Sequence, residues 1–431
     1  MNATAGLLRD NLNWKVSGQS DAVCPACGDT RPKLKLLETR SLIGAREMLA
    51  FVTCPTCRSR FVPDYASPDY SVDWLSNYAR AFYVEQGAGV DILARPAFAL
   101  AARGEVNRYL EVGCGYGFGV DIAHRVFGWD SMGIDPSGIA LQGGQDLGIR
   151  IDSVHLGPDT AKDVGQFDAI VAMEVIEHIS DAVGFLEVLR AHLTPGGAVY
   201  MSTPNARVLD NPEHPHLVAV LSSGFHVTLF SREGLATVMR RAGFNNVEVV
   251  ENDSGLFAAG TLGGEPVRVH QDIDRARYAE YLRGRLPLHK PGSTLWTGFA
   301  YRLYKEMVNH GDYAAASQLF EEIAGSLREA RGIDLDNPRQ LLAEGNDARA
   351  HLESGRWPFC LAGLLYLRGI NLINTDWAPE PALPYFLATI DIGNLIRASL
   401  LRIGADDGEL QAQLAEAAKA MTLCTDRLKQ H

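Results

Sequence analysis

The sequence lacks the segments expected of a membrane-inserted or exported protein. No stretch reaches about 18 consecutive apolar residues, which is the length that a membrane-spanning helix needs. The first residues, MNATAGLLRDNLNWKV, have no basic start followed by an apolar run. We therefore expect no membrane insertion, no secretion and a cytoplasmic location.

Positive charge is also scarce. The 431 residues include 40 Lys and Arg against 52 Asp and Glu, a formal net charge of −12. Broad binding of nucleic acid or anionic lipid needs clustered positive charge, so a polyanionic partner is disfavoured and only a local basic patch stays open. The hydrophobic share of 46% and charged share of 21% are typical of globular proteins, and the length predicts two or three domains.

Cysteine is sparse, but four of the seven cysteines form two CxxC pairs with proline inside each pair, namely Cys24, Cys27, Cys54 and Cys57. Zinc takes four thiolates in a tetrahedron, and a CxxC turn places two of them on one ion. We predict a structural Zn²⁺ in a zinc ribbon over residues 1–65, in a reducing compartment. Two disulfides or a redox pair are the alternative.

The rest of the chain changes its apolar pattern twice. Residues 66–104 show helical spacing and predict a helical linker. Residues 105–262 alternate short apolar runs with helical stretches, which indicates an α/β fold with a parallel sheet. Residues 263–431 return to helical spacing and predict an α-helical domain. The segment Gly311–Ile323 resembles one arm of a tetratricopeptide repeat.

The strongest motif follows the strand RYLEV and precedes a helix, and its residues are Glu111, Gly113, Gly115 and Gly117. Glycines let the backbone turn sharply and approach a ligand. Asp135 ends the next strand, about 20 residues on, where a carboxylate can accept hydrogen bonds from both ribose hydroxyls. A dinucleotide fingerprint would need a third small residue where Phe118 or Val120 stands. The pattern therefore predicts a nucleoside ligand.

These motifs, together with several downstream, resemble the class I S-adenosylmethionine-dependent methyltransferases. The similar branch includes ubiquinone-biosynthesis O-methyltransferases and sugar methyltransferases. The further matching segments are Gln166–Val171, Glu174–Ile179, Leu193–Gly197 and Ser202–Asn205. The resemblance covers about residues 105 to 262, and it implies a Rossmann-like, seven-stranded sheet with one antiparallel strand.

The resemblance also implies S-adenosyl-L-methionine as cofactor, bound at the motif Glu111–Gly117. Gly113 to Gly117 would lie against the methionine part and Asp135 on the ribose, and the main chain of Met173 and Glu174 would face the cofactor. Adenine would lie near Val154 to Leu156. An N-terminal zinc ribbon is similar to that of bacterial methyltransferases in sugar and surface-glycan pathways, and to that of certain ribosomal-RNA methyltransferases.

Methyl transfer to a hydroxyl needs an aligned acceptor and a base for its proton. Glu177 and His178 follow the fourth strand of the domain, in a loop that supplies an acid–base residue in similar sugar O-methyltransferases. His226 precedes the last helix of the domain, and a histidine that titrates near neutrality suits this role. Each of these residues could instead be structural, with His178 capping the next helix or supporting the cofactor loop.

A second histidine-bearing loop, with His214 and His216, could line the same pocket or be a solvated loop stiffened by proline. A catalytic metal held by these histidines and Asp210 would lack tight ligand spacing.

We expect a methyltransferase that O-methylates a sugar or glycan intermediate of surface polysaccharide biosynthesis. Its helical tail would cover the acceptor or bind a protein partner. One alternative is an RNA methyltransferase whose ribbon grips RNA through its basic residues, which are Lys33, Lys35, Arg40, Arg46, Arg58 and Arg60. Another is a non-catalytic interaction scaffold, but a scaffold would not need the glycine loop and Asp135.

Overall fold

Two packing units account for the described residues of the computed structural model. The described residues are 12–43, 47–65, 77–87, 90–157, 164–376, 379–402, 405 and 407–429. The first unit takes its described residues from Met1–Trp74 and Asp91–Ile273, and the second takes them from Leu75–Val90 and Asp274–His431. Arg46 of the predicted basic set lies outside the described residues.

The first unit begins with an antiparallel sheet around the paired cysteines. Its N-terminal strands are β1 (Leu12–Asn13), β2 (Gln19–Ser20), β3 (Lys33–Arg40), β4 (Met48–Thr53) and β5 (Arg60–Phe61). β3 pairs with β1, β2 and β4, and β4 pairs with β5. The second CxxC pair forms the turn between β4 and β5, so its thiolates are held by the ends of two paired strands.

The predicted linker does not behave as one segment. Its described helices are α1 (Asn77–Gly87) and α2 (Asp91–Arg103), and the chain divides between them, with α1 in the second unit and α2 in the first. The reason lies in their buried contacts. Glu85 of α1 forms a buried ion pair with Arg331, whereas Phe98 of α2 packs edge-on against Phe127 of the first unit.

The apolar runs after residue 105 form the predicted seven-stranded sheet. Its strands are β6 (Arg108–Val112), β7 (Asp130–Ile134), β8 (Arg150–Asp152), β9 (Phe167–Met173), β10 (Leu193–Pro204), β12 (Asn245–Glu251) and β13 (Gly255–Thr261). Their order is β12-β13-β10-β9-β6-β7-β8. β13 is antiparallel to both of its neighbours, and the other pairs are parallel. The seven strands and the single antiparallel strand that the resemblance implies are confirmed.

Helices cover this sheet as the alternating pattern predicts. They are α3 (Phe118–Phe127), α4 (Gly138–Leu147), α5 (Ala182–Ala191) and α7 (Arg232–Arg241). The short helix α6 (Leu217–Leu221) instead shares an apolar cluster with Leu37, Leu49 and Phe51 of the ribbon strands. Ser231 caps α7, because its hydroxyl accepts a hydrogen bond from the Gly234 amide at 2.9 Å. Gly243 follows this helix with a φ of 88°, a left-handed conformation that glycine adopts without strain.

The ribbon is not a separate body with its own core. A short strand after the domain's fifth parallel strand, β11 (Thr228–Leu229), pairs with β5 and joins the ribbon sheet. The cysteine knuckles also share one apolar cluster with Phe230 and Leu235 beside the seven-stranded sheet. The predicted boundary at residue 65 therefore crosses a continuous core, since a small metal-held sheet buries its apolar face only by packing on a neighbour.

The second unit is helical after residue 274, as the sequence predicts. Its remaining helices are α8 (Arg275–Arg285), α9 (Thr294–Asn309), α10 (Tyr313–Arg331), α11 (Pro338–Ala343), α12 (Ala348–Glu353), α13 (Leu361–Asp376), α14 (Pro379–Leu401) and α15 (Gly408–Lys429). The tetratricopeptide-like arrangement stays a prediction. Among the described residues, no helix is both long and apolar enough to cross a membrane.

Candidate functional site

The glycine motif forms a tight loop between β6 and α3. Gly113, Gly115 and Gly117 have φ angles of 68°, 53° and 93°, a region that residues with a side chain rarely adopt. At Gly113 space is limiting as well, because an added Cβ would lie 2.4 Å from Cγ2 of Val175. The loop therefore packs its backbone directly against the segment that follows β9.

Asp135, at the end of β7, holds this loop in place. Its Oδ2 accepts a hydrogen bond from the Gly115 amide at 2.8 Å, and its Oδ1 accepts from the amide and hydroxyl of Ser137. A carboxylate offers about four acceptor positions, so roughly one is left, on Oδ2. Asp135 can therefore shape the loop and still accept one further hydrogen bond, where the sequence predicted two.

Glu111 lies behind the loop and is only 3% exposed. Its Oε2 accepts a hydrogen bond from the Tyr109 hydroxyl at 3.3 Å, and a Cβ on Gly119 would come within 2.2 Å of the same oxygen. Burial and, to a smaller extent, the charge of Asp135 raise the pKa of Glu111 to about 8, against the lowering effect of the Tyr109 hydrogen bond. The structure thus places Glu111 where it supports the first turn of α3.

Met173 and Glu174 occupy the end of β9, beside the glycine loop. Glu174 has a φ of 54°, which is unusual for a residue with a side chain and is often found at functional sites. Its amide donates to the Ser202 carbonyl at 3.1 Å, and its carboxylate accepts from the Ser202 hydroxyl at 2.6 Å. These contacts to β10 hold the strained turn, while the residue as a whole stays exposed.

The three predicted acid–base residues come together one turn further along. One donor atom each from Glu177, His178 and His226 lies within 4.8 Å of the others. The turn Ile176–His178 directs Glu177 inward, where it is fully buried, and leaves the His178 side chain 20% exposed. His226 is buried, with its ring centroid 4.8 Å from that of His178. His226 therefore shares one site with two residues that lie 48 and 49 positions earlier in the chain.

Backbone carbonyls fix both imidazole rings. His178 Nδ1 lies 2.9 Å from the Phe225 carbonyl, and His226 Nδ1 lies 2.7 Å from the Val220 carbonyl. A carbonyl only accepts, so both Nδ1 atoms carry the proton and both Nε2 atoms carry a lone pair. Nε2 of His178 lies 3.7 Å from Oε1 of Glu177.

The protonation states of the three residues follow from their burial. Burial raises the pKa of Glu177 to about 8, against the hydrogen bond that its Oε2 accepts from Thr203 at 2.9 Å. Its Oε1 is buried without a hydrogen-bond partner among the described residues. Burial lowers the pKa of His178, and burial with the neighbouring His178 lowers the pKa of His226 to about 3. Two neutral imidazoles and one carboxyl group can either pass a proton or hold a divalent cation.

The other candidate residues lie elsewhere in the first unit. Nε2 of His214 is 3.4 Å from the carboxylate of Asp253, and Asp210 forms an ion pair with Arg60. Among the described residues, the groups that could hold a metal do not include Asp210, His214 or His216. Val154 to Leu156 follow β8, next to Ser153, whose hydroxyl reaches the Pro136 carbonyl at 3.4 Å. This segment thus runs close to the turn after Asp135.

The four cysteines form the second candidate metal group. Sγ of Cys24 lies 3.7 Å from Sγ of Cys57, and Sγ of Cys27 lies 3.6 Å from Sγ of Cys54. A zinc ion with Zn–S bonds of about 2.3 Å needs tetrahedral S–S edges of about 3.8 Å, whereas a disulfide needs about 2.0 Å. The donor set therefore fits a tetrahedral zinc ion. The pKa of the Cys57 thiol is lowered, chiefly because Cys24 and then Ser59 donate hydrogen bonds to it.

The two knuckles have the same backbone hydrogen bonds. The Gly28 amide donates to the Cys24 carbonyl at 2.9 Å, and the Arg58 amide donates to the Cys54 carbonyl at 3.1 Å. Gly28 and Arg58 both have positive φ angles, 77° and 64°. The second knuckle thus takes a glycine-like turn with an arginine, which the CxxC spacing alone does not reveal.

Several contacting residues were not singled out as site residues from sequence. Ser202 and Thr203 hold Glu174 and Glu177, and both belong to the matching segment Ser202–Asn205, so that segment was the available signal. Arg60 was interpreted as part of a basic surface, yet its side chain is 3% exposed and donates to the Ala206 carbonyl and to Asp210. No local pattern indicates that this arginine faces inward.

Comparison with known proteins identifies this region. Residues 78–249 match the family described as "Methyltransferase domain". The ubiquinone biosynthesis O-methyltransferases of Escherichia coli (strain K12 / DH10B) and Shigella boydii are each 34% identical to the chain over 105 residues. That alignment covers 23% of this chain and 43% of each relative, so the chain spans less than half the length of the curated relatives it matches.

Solved structures align with a similar share of the chain. An O-methyltransferase family protein from Burkholderia thailandensis is 17% identical, covers 43% of this chain and 58% of its own, and gives a TM-score of 0.34. The N-methyltransferase NodS from Bradyrhizobium japonicum, in complex with S-adenosyl-L-homocysteine, is 16% identical, covers 43% and 88%, and gives a TM-score of 0.29.

The four-cysteine geometry predicts about one tightly bound zinc per chain. Cys57→Ser should lose this zinc, because an incomplete thiolate shell binds the ion far more weakly. Elemental analysis of freshly purified, unchelated protein measures the content. A second metal equivalent that survives in Cys57→Ser and disappears in His226→Ala would belong to Glu177, His178 and His226. Zinc-free, folded wild-type protein would contradict the ribbon assignment.

Proposed function

We propose, from the premise that this chain carries a class I S-adenosylmethionine-dependent methyltransferase domain, that it O-methylates a hydroxyl of a sugar or glycan intermediate. The observation that carries the proposal is the cluster of Glu177, His178 and His226, which lies one turn after the glycine loop's contact with Val175. The curated relatives are O-methyltransferases by name, which supports oxygen as the acceptor atom.

The cofactor would bind along the loop from Gly113 to Gly117, and its sulfonium supplies an activated methyl group. The loop backbone can approach a ligand closely because no side chain intervenes. Asp135 can accept one ribose hydroxyl through Oδ2 while it holds the loop through Gly115. Glu174 lies beside the loop, where burial of its carboxyl group and then the charge of Glu177 raise its pKa to about 8, so it adds negative charge near a cationic cofactor only as the pH rises through that value.

On the acceptor side, His178 is the best placed base. It is the most exposed of the three clustered residues, and its Nε2 lone pair can take the hydroxyl proton as the acceptor oxygen bonds to the methyl carbon and the carbon–sulfur bond breaks. The imidazolium that results would lie 3.7 Å from Glu177 Oε1, where an ionised carboxylate stabilises it. His226 is buried and neutral, so it acts by packing against the His178 ring.

The alternative acceptor, RNA, loses much of its support. Of the five described basic residues proposed to grip RNA, Lys33 and Arg60 are buried. Lys35 and Arg40 each lie 3.3 Å from a glutamate, which leaves Arg58 as the exposed cation of this set without such a pair. Non-specific RNA binding needs several phosphate contacts at once, so a small-molecule or glycan acceptor is favoured.

Structural zinc in the ribbon, a cytoplasmic location and a protein partner for the helical unit are further parts of this proposal. The acidic net charge of −12 is compatible with these but selects none of them.

The proposed acceptor class can be tested with tritiated S-adenosylmethionine. Purified protein is incubated with a cell extract split into small molecules, glycans and RNA. We expect label in the sugar nucleotide or glycan fraction, in a form that resists nuclease. Label that nuclease releases from the RNA fraction would support RNA methylation instead. Absence of S-adenosylmethionine binding in calorimetry would favour the scaffold hypothesis.

Asp135→Asn should weaken S-adenosylmethionine binding by about 1 to 3 kcal/mol, because the amide replaces one acceptor with a donor. Ser137→Ala is the matched control: it removes one hydrogen bond to Oδ1 but leaves Oδ2 and its contact with Gly115. Titration calorimetry gives both affinities, and circular dichroism confirms folding. Equal affinities for Asp135→Asn and wild type would remove Asp135 from the cofactor site.

The buried Glu177 predicts a pH-dependent rate. Its pKa of about 8 means that the carboxylate needed beside the His178 imidazolium forms only as the pH rises through about 8, so kcat should rise over that range. Glu177→Gln should flatten the rise, and His178→Gln should lower kcat by about 100- to 10,000-fold with little change in cofactor affinity. A pH profile identical in Glu177→Gln and wild type would contradict this role.

The same group links stability to pH with the opposite sign. Its folded-state pKa is raised above the ordinary value of 4.5, so its stabilising contribution is complete below about pH 4.5 and is lost as the pH rises through about 8. Glu177→Gln should therefore remove a stability loss between these values. Chemical denaturation at several pH values measures it.

A further inference from the structure

We infer that the cysteine ribbon positions the acid–base cluster, and that Arg60 is the positioning residue that locks the two together. The inference rests on the proposed function for the role of His178 and His226. Its structural part, the coupling of the ribbon to residues 222–231, stands independently. It assigns the ribbon to the catalytic centre in place of a separate substrate-gripping module.

The first connection is a strand pairing next to His226. Phe61 and Arg60 of β5 pair with Thr228 and Leu229 of β11. The pairing continues one residue on, where the Val62 amide donates to the Val227 carbonyl at 3.0 Å. His226 thus directly precedes a strand that the ribbon holds.

The other side of the same residue is bonded to the cluster. The Val227 amide donates to the Glu177 carbonyl at 2.8 Å. Val227 is therefore bonded to the ribbon through its carbonyl and to the turn carrying Glu177 and His178 through its amide. A displacement of β5 would move Val227, and with it both His226 and the Phe225 carbonyl that orients His178.

The second connection starts at a cysteine ligand. The Ser231 hydroxyl donates to the Cys57 carbonyl, and the Ser231 amide donates to the Ser59 hydroxyl at 3.2 Å. The Ser59 carbonyl in turn accepts from the Cys54 amide at 2.9 Å. The metal-binding knuckle thus contacts the end of the His226 segment, where Ser231 caps α7.

A third set of contacts holds the beginning of the segment. The Thr39 and Ser223 hydroxyls lie 3.1 Å apart in a buried position. The Leu42 amide donates to the Ser223 carbonyl at 2.9 Å, and the Tyr65 hydroxyl donates to the Gly224 carbonyl at 3.0 Å. The ribbon therefore holds residues 223 to 231 at both ends and beside His226.

Arg60 joins these contacts to the end of β10. Its buried guanidinium donates to the Ala206 carbonyl and to the half-exposed carboxylate of Asp210. A buried arginine is costly unless its donors are used. Here Nη1 and Nη2 cross-link the ribbon to the turn that follows β10, the strand whose Thr203 holds Glu177, while Nε is buried without a hydrogen-bond partner among the described residues. Arg60 thus fixes β5, which pairs with the strand after His226, relative to the turn that follows β10.

The test compares Arg60→Met with Arg58→Met, an exposed neighbour on the same knuckle. In Arg60→Met we expect retained zinc, S-adenosylmethionine affinity close to wild type, faster hydrogen exchange in residues 222–231, and kcat lower by about 100-fold, as for a displaced catalytic group. Arg58→Met should match wild type in all four. Arg60→Lys should recover part of kcat, since a lysine keeps one donor and the charge.

A second variant covers the case in which Arg60→Met fails to fold. Thr39→Val removes one buried hydroxyl contact with Ser223 and should raise exchange at residues 222–225 with a smaller loss of kcat. Chelation of zinc from wild-type protein should raise exchange over the whole of 222–231 while residues 113–135 keep their protection.

The outcomes separate this inference from the proposed function. If exchange in 222–231 stays at the wild-type level in Arg60→Met and after zinc removal, the coupling is absent and the inference is overturned. If exchange rises but kcat stays normal, the segment moves without catalytic effect, and Arg60 is not a positioning residue. If no acceptor is methylated by wild-type protein, the proposed function fails while the exchange data still decide the coupling.

Discussion

The parallel alignment of β6, β7 and β9 with β10 is the constraint on which the site depends. Parallel strands place all their carboxyl ends at one edge of the sheet, and ligands bind at that edge. The glycine loop follows β6, Asp135 directly follows β7, and Glu174 directly follows β9. Ser202 and Thr203, which hold Glu174 and Glu177, lie near the end of β10. Once the strand order is set, residues such as Gly113 and Val175, which are 62 positions apart, become neighbours without any local signal between them.

The same edge of the sheet carries two energetically unfavourable local features. Glu174 has a left-handed backbone, and Glu177 is a buried carboxyl with one oxygen unpaired among the described residues. Strain and buried polar groups persist only where surrounding contacts enforce them. Here the enforcement comes from β10 on one side and from residues 222–231 on the other. The second of these depends on the ribbon, which explains why a small cysteine-held sheet shares its core with the larger domain.

Sequence patterns predicted the features that depend on residues close together in the chain. Alternating apolar runs and glycine breaks were enough to predict a parallel sheet with helices, because strand and helix periodicity is a property of neighbouring residues. The number of seven strands, one of them antiparallel, came from the family resemblance. The CxxC pairs likewise indicated their own geometry, and the motif around Glu111 and Asp135 predicted a nucleoside loop. The structure adds that most acceptor positions of Asp135 are occupied by hydrogen bonds from Gly115 and Ser137. The spacing of the motif does not reveal these bonds.

The parts that sequence did not predict share one cause, which is that they depend on pairing between distant segments. Arg60 follows a knuckle and looks like a surface cation until β5 pairs with β11 and turns its side chain towards Asp210. The sequence of residues 66–104 predicts one helical linker. In the folded chain, however, Glu85 pairs with Arg331 and Phe98 packs against Phe127, and these contacts place the two helices in different units. The sequence was equally compatible with a structural and a catalytic role for His226, because the lowered pKa of this residue and its distance to His178 arise only on folding. His226 is buried, neutral and 4.8 Å from the His178 ring, so under the proposed function it is better suited to hold the base in place than to be the base.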